Sequence, residues 1–280
     1  MANGAFTQFQ PTDIINSVDS QTGTLWSNNV PRLTEVHTSS VQSTSNSGQY
    51  FVHVYQTSST DPTAAVQFDI AYADEQGSGS LLYNSLVPGK SPSSTIYGQY
   101  QNIALGDDTE PFIFGDLTSS YFYALSFERA RYKESLALGT MALALSSSNG
   151  SGPELHLTDN SNISTGNNFG NAGRVFQIVS GSEGTVYTGV RTNGFSKESG
   201  SYGLFLPDVG AILLNSDALN LTSSDGGIGL GTQYITSSAN NTKLYNRISA
   251  SAHFNLNSQE NITSDFVFVR ARNNEFNYSA

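Results

Sequence analysis

Histidines are the first residues in this sequence whose type suits catalysis or metal binding. The four are His37, His53, His156 and His253. No two of them stand four residues apart, and none belongs to a motif that pairs histidines with a glutamate. A zinc site needs several such ligands brought together. Isolated histidines on strands therefore indicate structural roles, and we predict no metal site from them.

The densest acidic stretch is GDDTEP, which contains Asp107, Asp108 and Glu110. Carboxylate oxygens are ligands for calcium, but a calcium loop places its ligands on alternate residues around a central glycine. This stretch lacks both the spacing and the glycine. A solvated loop is the favoured interpretation, and calcium binding stays open as the alternative.

The glycine-rich stretch SSDGGIGLGT is the only candidate for a phosphate-binding loop. Such a loop needs a helix directly after the glycines and, in a P-loop, a Gly-Lys-Ser/Thr sequence. Neither follows Gly231, no serine lies in a Gly-X-Ser-X-Gly elbow, and the chain has no cysteine. A pair of distant carboxylates for glycoside hydrolysis cannot be read from sequence. We therefore predict a protein that is not an enzyme and has no cofactor.

Composition restricts the classes of partner. Lysine and arginine number 12 against 23 aspartate and glutamate residues, which gives a net charge of −11. Without a basic tract, nucleic-acid binding is not expected. No apolar run approaches the ~20 residues of a membrane-spanning helix, so no membrane insertion is expected either. The first residues, MANGAFTQFQPTD, show no secretory signal.

Alternation of apolar and polar residues is the main secondary-structure signal in this sequence, and it indicates strands. AVQFDIAYAD places Phe68, Ile70 and Tyr72 on one face of a strand. Hairpins are indicated in MALAL with ELHL, in RVFQIVSGSEGTVY and in YGLFLPDVGAILL. NRISASAHFNLN gives the clearest alternation, SPSSTIYGQYQNIAL indicates loops and short strands, and ERARYKESLAL suits a short helix. We predict a mainly β fold of antiparallel, sandwich-like sheets with hairpins and at most short helices.

The first 48 residues look unlike the rest of the chain. Stretches such as TSSVQSTSNSGQ bury little, and apolar residues are widely spaced. We predict an extended N-terminal arm over 1–48 and a β-rich body over 49–280, with a division into subdomains 49–148 and 149–280 as an option. The single tryptophan, Trp26, lies in the arm and has two readings. It either fills the chain's own core or anchors the arm on a neighbouring molecule.

Three stretches, taken in order, resemble one protein family. They are FYALSFERARYKESLALGTMALAL, YGLFLPDVGAILLN and FVFVRARNNEFNYS, and the likeness covers roughly residues 120–280. Together they resemble virion structural proteins of contractile-tailed phages, chiefly those infecting marine cyanobacteria. The resemblance implies a tail or baseplate subunit without chemistry of its own, assembled in the host cytoplasm into the virion. Its partners would be other virion proteins and copies of itself.

The end of the chain suggests where such assembly occurs. A strand over 267–272, with Arg270 and Arg272 at alternate positions, is followed by Phe276 and Tyr278. An uncovered strand edge invites pairing with another chain, and arginines suit a neighbour's carboxylates. We expect these four residues, with Trp26, to form an assembly contact. The alternative is a strand inside the chain's own sheet, followed by a frayed tail.

Other functions stay open beside the structural one. Abundant tyrosine and asparagine suit sugar stacking and hydrogen bonding, which favours a receptor- or glycan-binding module of the tail-fibre type that binds a host surface glycan. Fibre modules usually show repeats, however, and none is visible. A polysaccharide lyase or hydrolase is the third reading, and it lacks a recognisable site.

Overall fold

The computed structural model describes residues 10–38, 51–80, 86, 91–115, 117–148, 150, 154–187, 202–234 and 239–268. Strands occupy 41% of these described residues, well above the typical 20–25% of globular proteins, which confirms the predicted mainly β class. The strands are β1 (Ile14–Thr24), β2 (Arg32–Leu33), β3 (Phe51–Tyr55), β4 (Val66–Asp74), β5 (Phe112–Phe114), β6 (Leu117–Ser119), β7 (Tyr121–Phe127), β8 (Ser135–Leu136), β9 (Ala142–Leu145), β10 (Leu155–Asp159), β11 (Asn167–Phe169), β12 (Gly173–Ser182), β13 (Thr185–Val186), β14 (Gly203–Leu206), β15 (Ala211–Asn215), β16 (Phe254–Asn255) and β17 (Asn257–Val267). The helices are α1 (Pro92–Ala104), α2 (Ser216–Asn220) and α3 (Asn240–Ser251).

The chain divides into two compact units. One combines residues Met1–Gln21 with Glu260–Ala280, and the other runs from Thr22 to Gln259. The boundary after Gln21 differs from the expected one at residue 48, because much of the predicted arm belongs to the larger unit. The larger unit also joins the two optional subdomains, since β7 pairs with β15 in one sheet.

A curled antiparallel sheet of twelve strands forms the larger unit. Its order is β2-β16-β9-β10-β12-β14-β15-β7-β4-β3, with β11 and β13 attached to β12. Just after β2, His37 forms an isolated antiparallel bridge with Tyr55 of β3. This bridge brings the two edges of the sheet together, so the sheet curls strongly rather than forming a flat layer. β8 pairs with the first residues of β17 in a separate small sheet.

Both faces of the curled sheet are covered. Alternate residues of β4, β7 and β15 point to the two sides, as period-two strands require. On the inner side, Phe68, Leu125 and Ile212 join a cluster completed by Leu244 and Ile248 of α3. On the outer side lies a second cluster, in which α1 and the β5–β6 hairpin cover the strands. The predicted common face of Phe68, Ile70 and Tyr72 is confirmed.

All three predicted hairpins are confirmed. β9 pairs with β10, β12 with β13, and β14 with β15, each in antiparallel register. The sequence signals in these places are strong because alternation and turn-forming residues agree, with glycine and serine in two turns and Pro207–Gly210 in the third.

The helix assignments are where the sequence reading was wrong. SPSSTIYGQYQNIAL forms α1, which follows Ser91 and begins at Pro92, a sequence typical of a helix start. The first half of NRISASAHFNLN belongs to α3, whose buried face carries Leu244 and Ile248 one turn apart, and its second half contains β16. The helix expected in ERARYKESLAL is only a 3₁₀ turn at Arg129–Arg131, followed by β8. Among the described residues, no helix is long and apolar enough to cross a membrane.

Trp26 lies in the chain's own core and is 2% exposed. Its ring contacts Phe68, Phe127 and Phe254, with centroids 6.3, 6.1 and 5.2 Å away. The first of its two readings therefore holds, and the prediction that Trp26 is an assembly contact is wrong. The reason is geometric: the curled sheet leaves an interior that a large aromatic side chain fills.

Candidate functional site

Residues 10–21 and 260–268 form a ribbon whose side chains are mostly exposed. A 3₁₀ turn at Pro11–Asp13 precedes β1, and the Asp13 carboxylate accepts a hydrogen bond from the Gln10 backbone at 2.8 Å. From there β1 runs beside β17. We call this pair of segments the terminal ribbon.

Hydrogen bonds across the terminal ribbon show that it is antiparallel. The Phe268 backbone N–H donates to the Asp13 carbonyl at 2.9 Å. The Asn16 amide donates to the Asp265 carboxylate, and the Ser20 hydroxyl to the Asn261 side chain, each at 2.7 Å. Residue numbers thus rise on one strand as they fall on the other. In this register Ile15 lies opposite Phe266 and Ile14 lies opposite Val267.

Both faces of the ribbon tip are apolar. Directly opposed residues of an antiparallel pair share a face and neighbouring residues alternate. Ile15 and Phe266 therefore lie on one face, and Ile14 and Val267 on the other. The exposed apolar side chains are Ile14, Ile15, Val18, Ile262, Phe266, Val267 and Phe268, from 40% to 64% exposed. Consecutive apolar residues on a strand are typical of a strand covered on both sides.

The charges of the terminal ribbon are all of one sign. Among its described residues the ionisable side chains are Asp13, Asp19, Glu260 and Asp265. The cations nearest in sequence are Arg270 and Arg272, just after Phe268. Arg270, Arg272, Phe276 and Tyr278 lie outside the described residues, so their expected assembly contact stays a prediction.

A second surface is a cleft of about 450 Å³ on the outer side of the large sheet. Its apolar lining comes from the end of α1, from the segment before and within β5, and from two strands of the sheet: Ala104, Leu105, Pro111, Ile113, Val175 and Leu204. Gln177 and Glu110 supply polar groups. Ile113 is 53% exposed at this cleft, so apolar surface faces solvent there.

The acidic stretch borders this cleft through Glu110. Asp107, Asp108 and Glu110 are exposed. The Asp107 carboxylate accepts hydrogen bonds from the Thr109 hydroxyl and backbone N–H, at 2.7 and 2.8 Å, which lowers the pKa of Asp107. Within the described residues, no group of three or more histidine, cysteine, aspartate or glutamate side chains is placed to hold a metal ion. The arrangement is that of an exposed, negatively charged loop.

One histidine joins a polar row on the outer face of the sheet. His53, Asp69 and Ser126 are paired across β3, β4 and β7. His53 Nδ1 lies 2.6 Å from an Asp69 carboxylate oxygen. Burial raises the pKa of Asp69, while the hydrogen bond and charge of His53 oppose that rise. Because the carboxylate rather than the imidazole lies in the middle, the row does not have the order that activates a serine nucleophile.

The glycine-rich stretch is a tight loop beside α2. Ile228 and Leu230 are buried, and the N–H groups of Gly227, Ile228 and Gly229 donate to carbonyls of Thr222, Leu219 and Leu221. Those N–H groups are therefore used within the loop rather than turned towards a phosphate. The sequence interpretation of this stretch as a loop is confirmed.

Comparison with known proteins adds no relative. No protein-family model, no curated protein and no solved structure matches this chain.

The sequence reading missed the terminal ribbon, although a signal was present. It placed the apolar run FVFV in a strand but assigned Ile14 and Ile15 to an arm with scattered anchors. Two consecutive isoleucines and the run Phe266–Phe268 both predict strands with two apolar faces. That these runs pair with each other, from opposite ends of the chain, cannot be read from either one alone.

Proposed function

We propose that the protein is a structural subunit of a tailed-phage virion, as a tail or baseplate component, that acts through protein–protein assembly and not through catalysis. The terminal ribbon is the observation that carries this proposal. The resemblance of residues 120–280 to virion proteins supplies the biological setting.

The energetic argument starts from the exposed apolar side chains. Burying one large apolar side chain contributes about 1.5–3 kcal/mol. Seven such side chains lie exposed on a ribbon of two short segments. Exposed apolar groups clustered in this way mark interaction surfaces. The ribbon therefore gains most of its stabilising area only when another molecule covers it.

The arrangement of these side chains also indicates how they are covered. A ribbon that lies flat on a neighbour needs only one apolar face. This ribbon tip has two, so the partner must cover both sides, as a cleft or a pair of neighbouring subunits does. Such insertion between subunits suits a particle built from many copies.

Incorporation into particles tests the proposal. We expect the wild-type protein in purified virions, and we expect the variant Ile15→Ser/Phe266→Ser/Phe268→Ser to fold but to be absent from them. The control is Ile163→Ser, since Ile163 is 60% exposed and lies outside the ribbon. Mass spectrometry of purified particles gives the readout. Normal incorporation of the ribbon variant would refute the proposal.

The glycan-binding alternative has one observation in its favour. Phe51, His53 and Tyr55 alternate along β3, with neighbouring ring centroids 4.9 and 6.2 Å apart, beside the carboxylate of Asp69. A row of partly exposed rings beside a hydrogen-bonding group is a surface on which a sugar can stack. Binding of host surface polysaccharide that Tyr55→Ala abolishes, and that the ribbon variant retains, would favour this function over assembly.

A further inference from the structure

We infer that the cleft on the outer side of the large sheet binds an extended segment of another protein, in which a bulky apolar side chain stands next to a lysine or arginine. The cleft lies wholly within the unit from Thr22 to Gln259. It is a different surface from the terminal ribbon, so binding there does not depend on the proposed assembly function.

The walls of the cleft suit an apolar side chain. They come from the C-terminal end of α1, from Pro111 and Ile113, and from Val175 and Leu204 of the large sheet. The volume of about 450 Å³ falls within the roughly 300–1,000 Å³ of clefts that enclose ligands. Ile113 is 53% exposed, so an apolar side chain that enters the cleft removes apolar surface of both molecules from water.

The described lining of the cleft has one charged side chain, and it is negative. This is Glu110, whose backbone carbonyl accepts a hydrogen bond at 2.8 Å from the side-chain amide of Gln101 in α1. The bond ties the end of the acidic stretch to the helix, since Gln101 is only 8% exposed. Asp107 and Asp108 stand just before Glu110 and are exposed too. The cleft therefore attracts a positively charged group beside the apolar one.

Gln177 adds a hydrogen-bond donor that suits a peptide backbone. Its side-chain oxygen accepts the N–H of Gly115 at 3.2 Å, and its backbone N–H and carbonyl both bond to Asn160 at 3.0 Å. Because the side-chain oxygen is used in this way, the side chain offers its NH₂ group, which can only donate. A carbonyl group of an extended peptide is an acceptor for that donor.

The occupant is a segment of another protein rather than the terminal ribbon of a second copy. The described ionisable side chains of the ribbon are all acidic: Asp13, Asp19, Glu260 and Asp265. Like charges that face each other across an interface cost free energy, so the ribbon and the border of the cleft repel each other. The chain as a whole has a net charge of −11, which also favours a basic partner.

Titration of the nitrogen-15-labelled full-length protein with short peptides tests the inference by NMR. The probe is the peptide acetyl-Gly-Phe-Lys-Lys-Gly-amide, and two matched peptides carry Gln-Gln or Glu-Glu in place of Lys-Lys. We expect the basic peptide to shift the amide resonances of Gly115 and Gln177, with a Kd below about 1 mM. The neutral peptide should bind about three- to tenfold more weakly, because exposed ion pairs contribute little. The acidic peptide should not bind detectably.

Variants of the cleft separate the contributions of charge and apolar area. Glu110→Gln should weaken binding of the basic peptide about two- to fivefold and leave binding of the neutral peptide unchanged. Ile113→Ser should weaken binding of both peptides about tenfold, because it removes apolar area from the wall. Both side chains are exposed, so these variants should fold.

Two matched controls change the same residue types outside the lining of the cleft. Glu154→Gln removes another exposed carboxylate, and Ile163→Ser removes another exposed isoleucine. Both variants should bind the basic peptide like the wild type. Binding to the wild type should also weaken with added salt, because salt screens exposed charges.

Three outcomes would overturn the inference. A neutral or acidic peptide that binds as tightly as the basic one would refute the cationic partner. Binding of the basic peptide that Ile113→Ser leaves unchanged would place the peptide outside the cleft. Amide resonances of Gly115 and Gln177 that do not shift at several millimolar basic peptide would show that the cleft does not bind such a segment.

Discussion

Arg174 and Asp208 form the best-defined ion pair of the described chain. The guanidinium of Arg174 donates to both carboxylate oxygens of Asp208, with a shortest distance of 2.6 Å, and the Arg174 backbone N–H donates to the same carboxylate at 2.8 Å. Burial favours a higher pKa for Asp208, but the hydrogen bonds and charge of Arg174 outweigh it and lower the pKa. The pair joins β12 to the turn between β14 and β15.

Asp208→Asn should lower the free energy of unfolding by about 1 kcal/mol at pH 7. The effect is small because both side chains are about a third exposed, so solvent screens their charges. A carboxyl whose folded pKa is depressed stabilises the fold above its unfolded pKa, and this contribution is lost as pH falls through the folded pKa. The variant and wild type should therefore converge in acid. Urea denaturation of both proteins at pH 7 and at pH 3 measures the difference between their free energies of unfolding at each pH. An equal difference at the two pH values would contradict the ion-pair account.

Trp26 offers a second prediction for a single residue. Trp26→Ala should lower the free energy of unfolding by about 3–5 kcal/mol, because it leaves a cavity among three phenylalanines. Trp26→Phe should cost less, since it keeps an aromatic ring and removes a buried indole N–H that has no hydrogen-bond partner. Chemical denaturation gives both values. A loss below 1 kcal/mol for Trp26→Ala would show that the ring does not support the core.

The turn between β14 and β15 shows how an element depends on one glycine. Gly210 has a φ of +74°, and a Cβ built there would lie 2.3 Å from the Tyr132 hydroxyl oxygen. That hydroxyl donates to the Val209 carbonyl at 2.7 Å. The positive φ and the contact with Tyr132 both require the absence of a side chain.

Gly210→Ala should therefore destabilise the protein, by about 1–3 kcal/mol. Gly98 is the matched control, because it lies inside α1 and a Cβ added there would have no heavy atom within 4 Å. Gly98→Ala should be neutral or stabilising by up to about 1 kcal/mol. Thermal unfolding of the two variants beside the wild type tests the contrast, and a Gly210→Ala variant as stable as the wild type would refute it.

The sequence predicted the hairpins correctly but not helix α3. Hairpins were predictable because alternation and turn residues lie next to each other in the chain. Helix α3 was not, because Ile248, Ala250 and Ala252 alternate like a strand, whereas burial of Leu244 and Ile248 on one helical face decides the outcome. The candidate site was predictable only in pieces, since the ribbon joins Ile15 to Phe266 across almost the whole chain.

At the scale of the whole molecule, packing and exposure are divided between the two units. Both hydrophobic clusters lie within the unit from Thr22 to Gln259. The other unit presents described side chains that are mostly exposed. The buried apolar side chains that stabilise the fold thus lie in one unit, and the exposed apolar side chains of the ribbon lie in the other.

A chain of residues 22–259 should therefore fold alone. Removing 1–21 and 260–280 deletes the exposed side chains of the described ribbon and leaves both hydrophobic clusters intact. We expect a cooperative urea transition and an emission maximum of Trp26 that is unchanged from that of the full-length protein. If the truncated chain fails to unfold cooperatively, the ribbon stabilises the fold itself.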